Sequence, residues 1–176
     1  MPSDAGAAVR GRAGRQHAGQ ASRDREETMQ LADAVQQLGR QIGLPLKLDG
    51  DGACRLVFDG KLPVDIEAVE GSVAYLHTGI GILPTSGGEA LMRSLLEGNL
   101  FGRGTGASVI GIDSHLGEIL LTRRLDMSKT DYAEFAAAIE DFVTHAKAWI
   151  ERIRQGRAAP AAEAPAFGAG ESFLRV

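Results

Sequence analysis

One segment constrains the fold of this chain more than any other. Residues 91–98 (LMRSLLEG) have the leucine spacing of a helix, and the glycine-rich residues 102–106 (GRGTG) follow soon after. The next apolar run, 107–113, predicts a strand. A phosphate-binding glycine loop instead leads from a strand into a helix, whose N-terminal N–H groups hold the anion. The order helix, glycines, strand therefore argues against nucleotide binding and indicates a structural connection.

The length and composition predict one domain with a single hydrophobic core. The chain has 176 residues, of which 44% are hydrophobic. It contains no apolar run of about 18 residues, the length that predicts a membrane span. Its one cysteine, Cys54, rules out an intramolecular disulfide framework and fits a reducing compartment. We therefore expect a cytoplasmic protein that does not contact a membrane.

The two ends of the chain differ in composition from its middle. Residues 1–28 carry five arginines among Ala, Gly and Gln and have little to bury, which predicts a disordered extension. Residues 156–176 are rich in Ala, Pro and Gly and are predicted to be a tail, although residues 173–176 (FLRV) are apolar enough to dock elsewhere. The folded domain is expected to span residues 29–155.

The charge of the folded part argues against one class of partner. Residues 28–155 contain 17 Asp and Glu against 12 Lys and Arg, a net charge of about −5. Binding to nucleic acid through its phosphates requires the opposite sign. We therefore expect no nucleic-acid partner.

Apolar periodicity predicts three helices and five strands. The first helix has its apolar stripe at Leu31, Val35, Leu38 and Ile42, and Gly43 ends it. Alternation predicts strands near 54–59, 62–68 and 73–82, and two more near 107–113 and 117–125. Residues 46–48 could open a further strand before the turn at 49–52. Thr28 can cap the first helix, and Ser86 and Glu89 match a capping box for the second helix. Ser128 and Asp131 form a second capping signal, which starts a long helix. The order α-β-β-β-α-β-β-α with short hairpins predicts an α+β fold with an antiparallel, twisted sheet.

No arrangement of side chains predicts a catalytic or metal site. The histidines, at positions 17, 77, 115 and 145, lack the spacing of metal ligands, and Cys54 has no cysteine partner. Asp65 and Glu67 alternate onto the solvent face of their strand, where acid–base chemistry has no apolar pocket to work in. We therefore expect no enzyme activity, no metal and no cofactor.

Three sequence segments and the element order resemble a known family. The segments are residues 58–64 (FDGKLPV), 95–101 (LLEGNLF) and 119–125 (ILLTRRL), and the closing helix adds Phe142 and Trp149. Together they resemble the class I chaperones of bacterial type III secretion, the Tir-chaperone (CesT) family. The resemblance covers roughly residues 29–155.

The resemblance implies a small, acidic, cytoplasmic homodimer. Such a protein binds the N-terminal segment of a secreted effector, keeps it extended and competent for export, and hydrolyses no nucleotide. The family's second helix and following strand form the dimer interface, so we expect contacts from Leu91, Leu95, Leu96, Leu100 and Ile110. The first helix and first strands bind the effector. The candidates there are Leu31, Val35, Leu38, Leu48, Leu56, Phe58, Val64 and Ile66, of which some must instead belong to the core.

Two alternatives remain open from the sequence. One is a regulatory binding protein that controls secretion genes by sequestering a partner. The other is a small enzyme whose site is not recognised, with the acidic turn at 113–118 and the glycine loop as its best candidates.

Overall fold

The computed structural model describes residues 29–156. Predictions made for residues 1–28 and for the tail beyond Gly156 lie outside the described residues. The elements are α1 (Leu31–Ile42), β1 (Ala53–Phe58), β2 (Leu62–Ala68), β3 (Val73–Ile82), α2 (Glu89–Asn99), a 3-10 helix (Leu100–Gly102), β4 (Val109–Asp113), β5 (Glu118–Asp126) and α3 (Tyr132–Arg154). The predicted element order is confirmed.

The five strands form one sheet in the order β1-β2-β3-β5-β4, and every neighbouring pair is antiparallel. The predicted α+β class is therefore confirmed. Alternation places one apolar face of each strand under the helices, as in β2, where Leu62, Val64 and Ile66 are buried. β1 and β4 are the two edges of this sheet.

The helices bury one face of the sheet. α3 packs along β3, α1 packs beside α3, and α2 packs next to β4. The largest buried side chains include Phe135, Phe142 and Trp149 of α3. Leu31, Val35 and Leu38 of α1 also belong to the core, whereas the last residue of that stripe, Ile42, is 48% exposed.

The predicted end of α1 is confirmed, since Gly43 takes the left-handed conformation there. The predicted starts of α1 and α3 are wrong in position: the N-cap of α1 is Gln30 and not Thr28, and the capping box of α3 is formed by Asp131 and Glu134 and not by Ser128 and Asp131. The capping box predicted for Ser86 and Glu89 is wrong. Gly87 has a φ of +69°, which no residue within a right-handed helix adopts, so α2 begins only at Glu89 with Gly88 as its N-cap.

Two glycines, Gly98 at the end of α2 and Gly104 in the glycine segment that follows, pack against Trp149, a role that the sequence did not predict. A Cβ on Gly98 would overlap the Trp149 ring, and a Cβ on Gly104 would lie 3.2 Å from Cζ2 of the same ring. Trp149 donates its indole N–H to the Gly104 carbonyl at 2.8 Å. Gly98 leaves no space for a side chain because the backbone closes directly over the indole, whereas a Cβ on Gly104 would require the ring to move by a few tenths of an ångström.

Candidate binding surfaces

Exposed apolar side chains gather where α1 leads into the sheet. We call this the α1–β1 surface: Ile42, Leu44, Leu48 and Phe58. Val57 is also exposed, but it lies on the opposite face of β1, the same face as Arg55. Leu44 is 52% and Val57 57% exposed, and Leu48 and Phe58 are half-buried. A cavity of about 400 Å³ opens at the C-terminal end of α1 and is lined by Gly39, Arg40, Gly43 and residues 44–47.

The cavity forms because the chain crosses α1 closely after the helix ends. Leu44 donates its N–H to the Gly39 carbonyl at 2.9 Å. A Cβ on Gly39 would lie 3.0 Å from Leu46 Cβ, so the crossing requires glycine at this position. Arg40 and Lys47 give the cavity a basic rim next to its apolar wall.

The outer edge of β1 carries backbone groups that face away from the sheet. Asp49 engages both backbone groups of Ala53: its side chain accepts from the Ala53 N–H at 2.9 Å, and its own N–H donates to the Ala53 carbonyl at 2.8 Å. Because the direction of these groups alternates along an antiparallel strand, those of Arg55 and Val57 face the same way. Within residues 29–156, no strand pairs with this edge.

The opposite edge, β4, is blocked at its centre. The Asn99 side chain donates to the Ile110 carbonyl at 3.0 Å and accepts from the Ile110 N–H at 2.8 Å. Both backbone groups of Ile110 therefore face away from β5 and are already paired. The two edges of the sheet thus differ in their capacity to accept another strand.

A second apolar surface lies on α2, the 3-10 helix and β4. We call this the α2–β4 surface: Leu96, Leu100, Phe101 and Ile112. Val109 is also exposed, but it lies on the opposite face of β4. Phe101 is 89% exposed and has a φ of +53°, a conformation that costs a non-glycine residue of order 1 kcal/mol or more. The surrounding backbone fixes it, since Gly104 and Arg103 donate to the carbonyls of Gly98 and Leu100. An exposed aromatic side chain on a strained backbone is typical of a site that contacts another protein.

The structure divides the predicted effector-binding residues into two groups. Only Leu48 and Phe58 remain partly accessible. The other six are buried in the protomer core, and these are Leu31, Val35, Leu38, Leu56, Val64 and Ile66. These six residues support the α1–β1 surface from beneath. Of the eight candidates, only Leu48 and Phe58 are therefore still predicted to contact a partner directly.

The predicted dimer-interface residues divide in the same way. Leu96 and Leu100 are 70% and 48% exposed, and Leu91 is half-buried. Leu95 and Ile110 are 3% and 7% exposed and belong to the protomer core. Leu96 and Leu100 therefore remain as predicted dimer contacts, and Leu95 and Ile110 hold the surface in place. Leu91 instead lines a separate cavity together with Ile82 and Ile153.

Several accessible residues were missing from the sequence predictions. Leu44, Val57, Phe101, Val109 and Ile112 are all more than 40% exposed. The sequence could have identified Val57 as exposed, because it alternates along the strand with the buried Cys54 and Leu56. Phe101 lies inside the 95–101 segment, but its display depends on a left-handed φ that the sequence does not indicate.

The polar side chains of the described domain have structural roles. Asp113 accepts hydrogen bonds from the backbone N–H groups of His115 and Leu116, which closes the β4–β5 turn. Cys54 is buried, and this burial raises the pKa of its thiol, which lowers its reactivity. Within residues 29–156, no three His, Cys, Asp or Glu side chains are grouped as metal ligands, and no helix is long and apolar enough to cross a membrane.

One ion pair joins the first two strands on the face away from the helices. Arg55 donates from Nε to Asp65 Oδ1 at 2.6 Å and from its terminal nitrogen to Oδ2 at 2.8 Å. These hydrogen bonds lower the pKa of Asp65 below its ordinary value of 3.8. The contribution of Asp65 to stability is therefore fully present above pH 3.8 and is lost as the pH falls through the lowered pKa of the folded state.

We expect Asp65→Asn to destabilise the protein slightly at pH 7 and to have no effect once the pH falls below the folded-state pKa of Asp65. The loss at pH 7 is small because water screens the exposed Arg55. Urea unfolding of wild type and variant at a series of pH values measures the difference. Glu70→Gln, in the exposed β2–β3 turn, is the control. A loss of stability that persists unchanged in acid would show that the ion pair is not its cause.

The described domain is a sheet covered by helices on one face, with an unpaired β1 edge and two exposed apolar surfaces. Comparison with known proteins specifies the class. The model of the Tir chaperone protein (CesT) family matches residues 33–150. The Chlamydia pneumoniae protein CPj0713/CpB0740 is 33% identical over 113 residues, which are 64% of this chain and 85% of that protein.

Two solved structures share the fold. A chain of the ExsC–ExsE complex has a TM-score of 0.59 with 24% sequence identity, and the match covers 70% of this chain and 96% of that one. A chain of the HopA1–SchA chaperone–effector complex has a TM-score of 0.57 with 16% identity, covering 67% and 91% of the two chains.

The chain belongs to the Tir chaperone protein (CesT) family. This confirms the resemblance carried by residues 58–64, 95–101 and 119–125. Members of this family are type III secretion chaperones and have no enzymatic activity, so the chain is a chaperone and not an enzyme. The small-enzyme alternative is thereby excluded.

Proposed function

We propose that this protein is a cytoplasmic, homodimeric chaperone that binds the N-terminal segment of a type III secretion effector and keeps it extended for export. The observation that carries this proposal is the open edge of β1 next to the apolar α1–β1 surface. An extended segment needs both partners for its backbone groups and pockets for its side chains, and the two occur together at this edge.

The backbone groups of Arg55 and Val57 supply the first requirement. They are spaced two residues apart and face away from β2, as a partner strand requires. The exposed Val57 would lie beside the partner's side chains on the open face of the sheet. Pro63 excludes β2 from this role, because it has no N–H to donate and β2 is already paired on both sides.

The α1–β1 surface supplies the second requirement. Phe58 and Leu48 pack on the core and keep part of their area accessible, while Leu44 stands in the wall of the 400 Å³ cavity. This cavity is open to solvent, and its volume of about 400 Å³ leaves room for an apolar side chain of a partner against Leu44 and Leu46. Arg40 and Lys47 favour an acidic residue in the partner beside that apolar anchor.

The α2–β4 surface supports the homodimer. It presents three aliphatic side chains and the strained Phe101 from adjacent elements, and a group of exposed apolar side chains often marks a protein–protein interface. The second helix and the following strand are the elements that the family resemblance assigns to the dimer interface.

The proposal is tested first by capture from the native bacterium, with mass spectrometry of the bound proteins. We expect a secreted effector whose binding region maps to its N-terminal segment. A partner that is a transcriptional regulator would favour the regulatory alternative instead. Recovery of neither would contradict the proposed function.

We expect Val57→Pro to weaken binding of that effector segment at least tenfold. Proline removes the outward N–H at position 57 and is tolerated on an edge strand, so the fold remains intact. Val57→Thr is the matched control, because it keeps the β-branched shape and the N–H, and we expect less than a threefold change. Calorimetric titration measures both. Equal affinity of Val57→Pro and wild type would show that the segment does not add to β1.

A further inference from the structure

A second cavity lies at the end of α3, away from the α1–β1 surface. Its volume is about 320 Å³, and its walls include Ile82, Pro84, Leu91 and Ile153. Ile82 is 63% exposed although it ends a strand that is otherwise well buried on its helix side. The cavity thus presents an apolar wall to solvent within the described domain.

The rim of this cavity is positively charged. Arg152 lines it and stacks over the Trp149 ring, with 4.4 Å between its guanidinium carbon and the ring centroid. Among residues 29–156, no carboxylate lies within salt-bridge distance of Arg152, whereas Arg154 on the same helix pairs with Glu151. Arg152 is therefore held in place by the indole and presents its charge to whatever fills the cavity.

Gly156, the last described residue, also lines this cavity. The segment that follows it, residues 157–176, is mostly Ala, Pro and Gly, and its large apolar side chains are few. Two of them, Phe173 and Leu174, are adjacent and lie two residues after Glu171. The segment 171–174 (ESFL) thus offers an acidic group and two apolar groups, which match the basic rim and apolar wall of the cavity.

We propose that residues 171–174 of this chain dock in the cavity at the end of α3, with Phe173 and Leu174 against Ile82, Leu91 and Ile153 and with Glu171 beside Arg152. A cavity of about 320 Å³ has room for an aromatic and an aliphatic side chain, since about 150 Å³ is enough for benzene. The proposal does not depend on the proposed binding of an effector at β1.

The tether favours an occupant from the same chain over one from solution. The 16 residues between Gly156 and Phe173 have a root-mean-square span of about 20–25 Å if they are flexible. Because these 16 residues begin at the rim of the cavity, their span is long enough for residues 171–174 to fold back and reach it. A tether of this length gives an effective concentration of order millimolar, which an untethered peptide rarely reaches.

Hydrogen exchange of the full-length protein tests the docking. We expect Phe173→Ser/Leu174→Ser to speed exchange in residues 87–91 and 150–156 by about threefold or more, because the docked segment no longer covers them. Phe167→Ser, in the same tail, is the matched control and should leave exchange unchanged. These substitutions lie outside the described core, so loss of folding does not complicate the result. Exchange identical to wild type in the double variant would overturn the proposal.

A charge exchange tests the polar half of the contact. Arg152→Glu and Glu171→Arg should each speed exchange at the cavity, and the double variant should restore the wild-type rate. Failure of the double variant to restore protection would overturn the assigned pairing. Protection that disappears when the protein is diluted would also overturn the proposal, because it would identify a second copy as the occupant.

Discussion

Replacing Trp149 with alanine is expected to lower the free energy of unfolding by about 3–5 kcal/mol, the usual cost of removing a buried aromatic side chain. Trp149 is 1% exposed, contacts Gly98 and Gly104 and donates its indole N–H to the Gly104 carbonyl. The substitution therefore removes the group around which the connection from α2 to β4 closes. Urea unfolding followed by circular dichroism measures the loss, since the variant lacks the single tryptophan needed for fluorescence.

Gly98→Ala provides a control, because its effect on the free energy of unfolding should change sign when the indole is removed. In the wild type the added Cβ overlaps the Trp149 ring, so we expect destabilisation of about 1–3 kcal/mol. In the Trp149→Ala background the same methyl group has space. There we expect a gain of up to about 1 kcal/mol, because alanine is the better helix former. The same effect of Gly98→Ala in both backgrounds would contradict this account of the glycine segment.

The variant Leu96→Asp/Phe101→Asp is expected to convert a dimer into a folded monomer. The two side chains are 70% and 89% exposed, so charges at these positions leave the protomer core intact but place two carboxylates in the proposed interface. We expect the dimer dissociation constant to rise at least 100-fold, which corresponds to about 3 kcal/mol. Light scattering and sedimentation at micromolar concentration measure the mass.

Leu116→Asp is the matched control for this variant. Leu116 is 69% exposed in the β4–β5 turn, outside the α2–β4 surface, and its replacement should leave the mass unchanged. Leu95→Asp is unsuitable, because Leu95 is 3% exposed and its replacement would test folding instead of assembly. A wild-type protein that is monomeric at these concentrations would contradict the proposed homodimer directly.

The sequence predicted the elements well because their signals are local. The alternation in 62–68 indicates a strand, and the glycine after Ile42 indicates the end of a helix. Each signal depends only on residues that are close in sequence. The false capping box at Ser86 shows the limit of such signals, since Gly87 takes a backbone conformation that the tetrapeptide pattern does not encode. The match of Ser86 and Glu89 to a capping box therefore predicted that a helix begins near this point, but it placed the first turn of α2 too early.

The binding surfaces were predicted less completely, for a reason that concerns the whole fold. Periodicity shows that Val35 and Leu56 share an apolar face with their neighbours, but it does not show whether that face meets the core or a partner. In this protein both are buried by α3 and the sheet. Some accessible residues, such as Val57, alternate with buried residues along a strand and so face away from the core. Others, such as Phe101, are exposed because their backbone takes a left-handed conformation.

The hydrogen bonds from Asn99 to Ile110 affect how many strands the sheet can recruit. A sheet with two open edges can add a strand on each side, and identical copies can then join edge to edge without limit. Asn99 occupies the backbone groups of β4 where an added strand would begin to pair. If β1 accepts a strand as proposed, a protomer adds a segment at one edge of its sheet, while the Asn99 amide hinders addition at the centre of the other edge. Such a difference between the edges works against growth into a fibre.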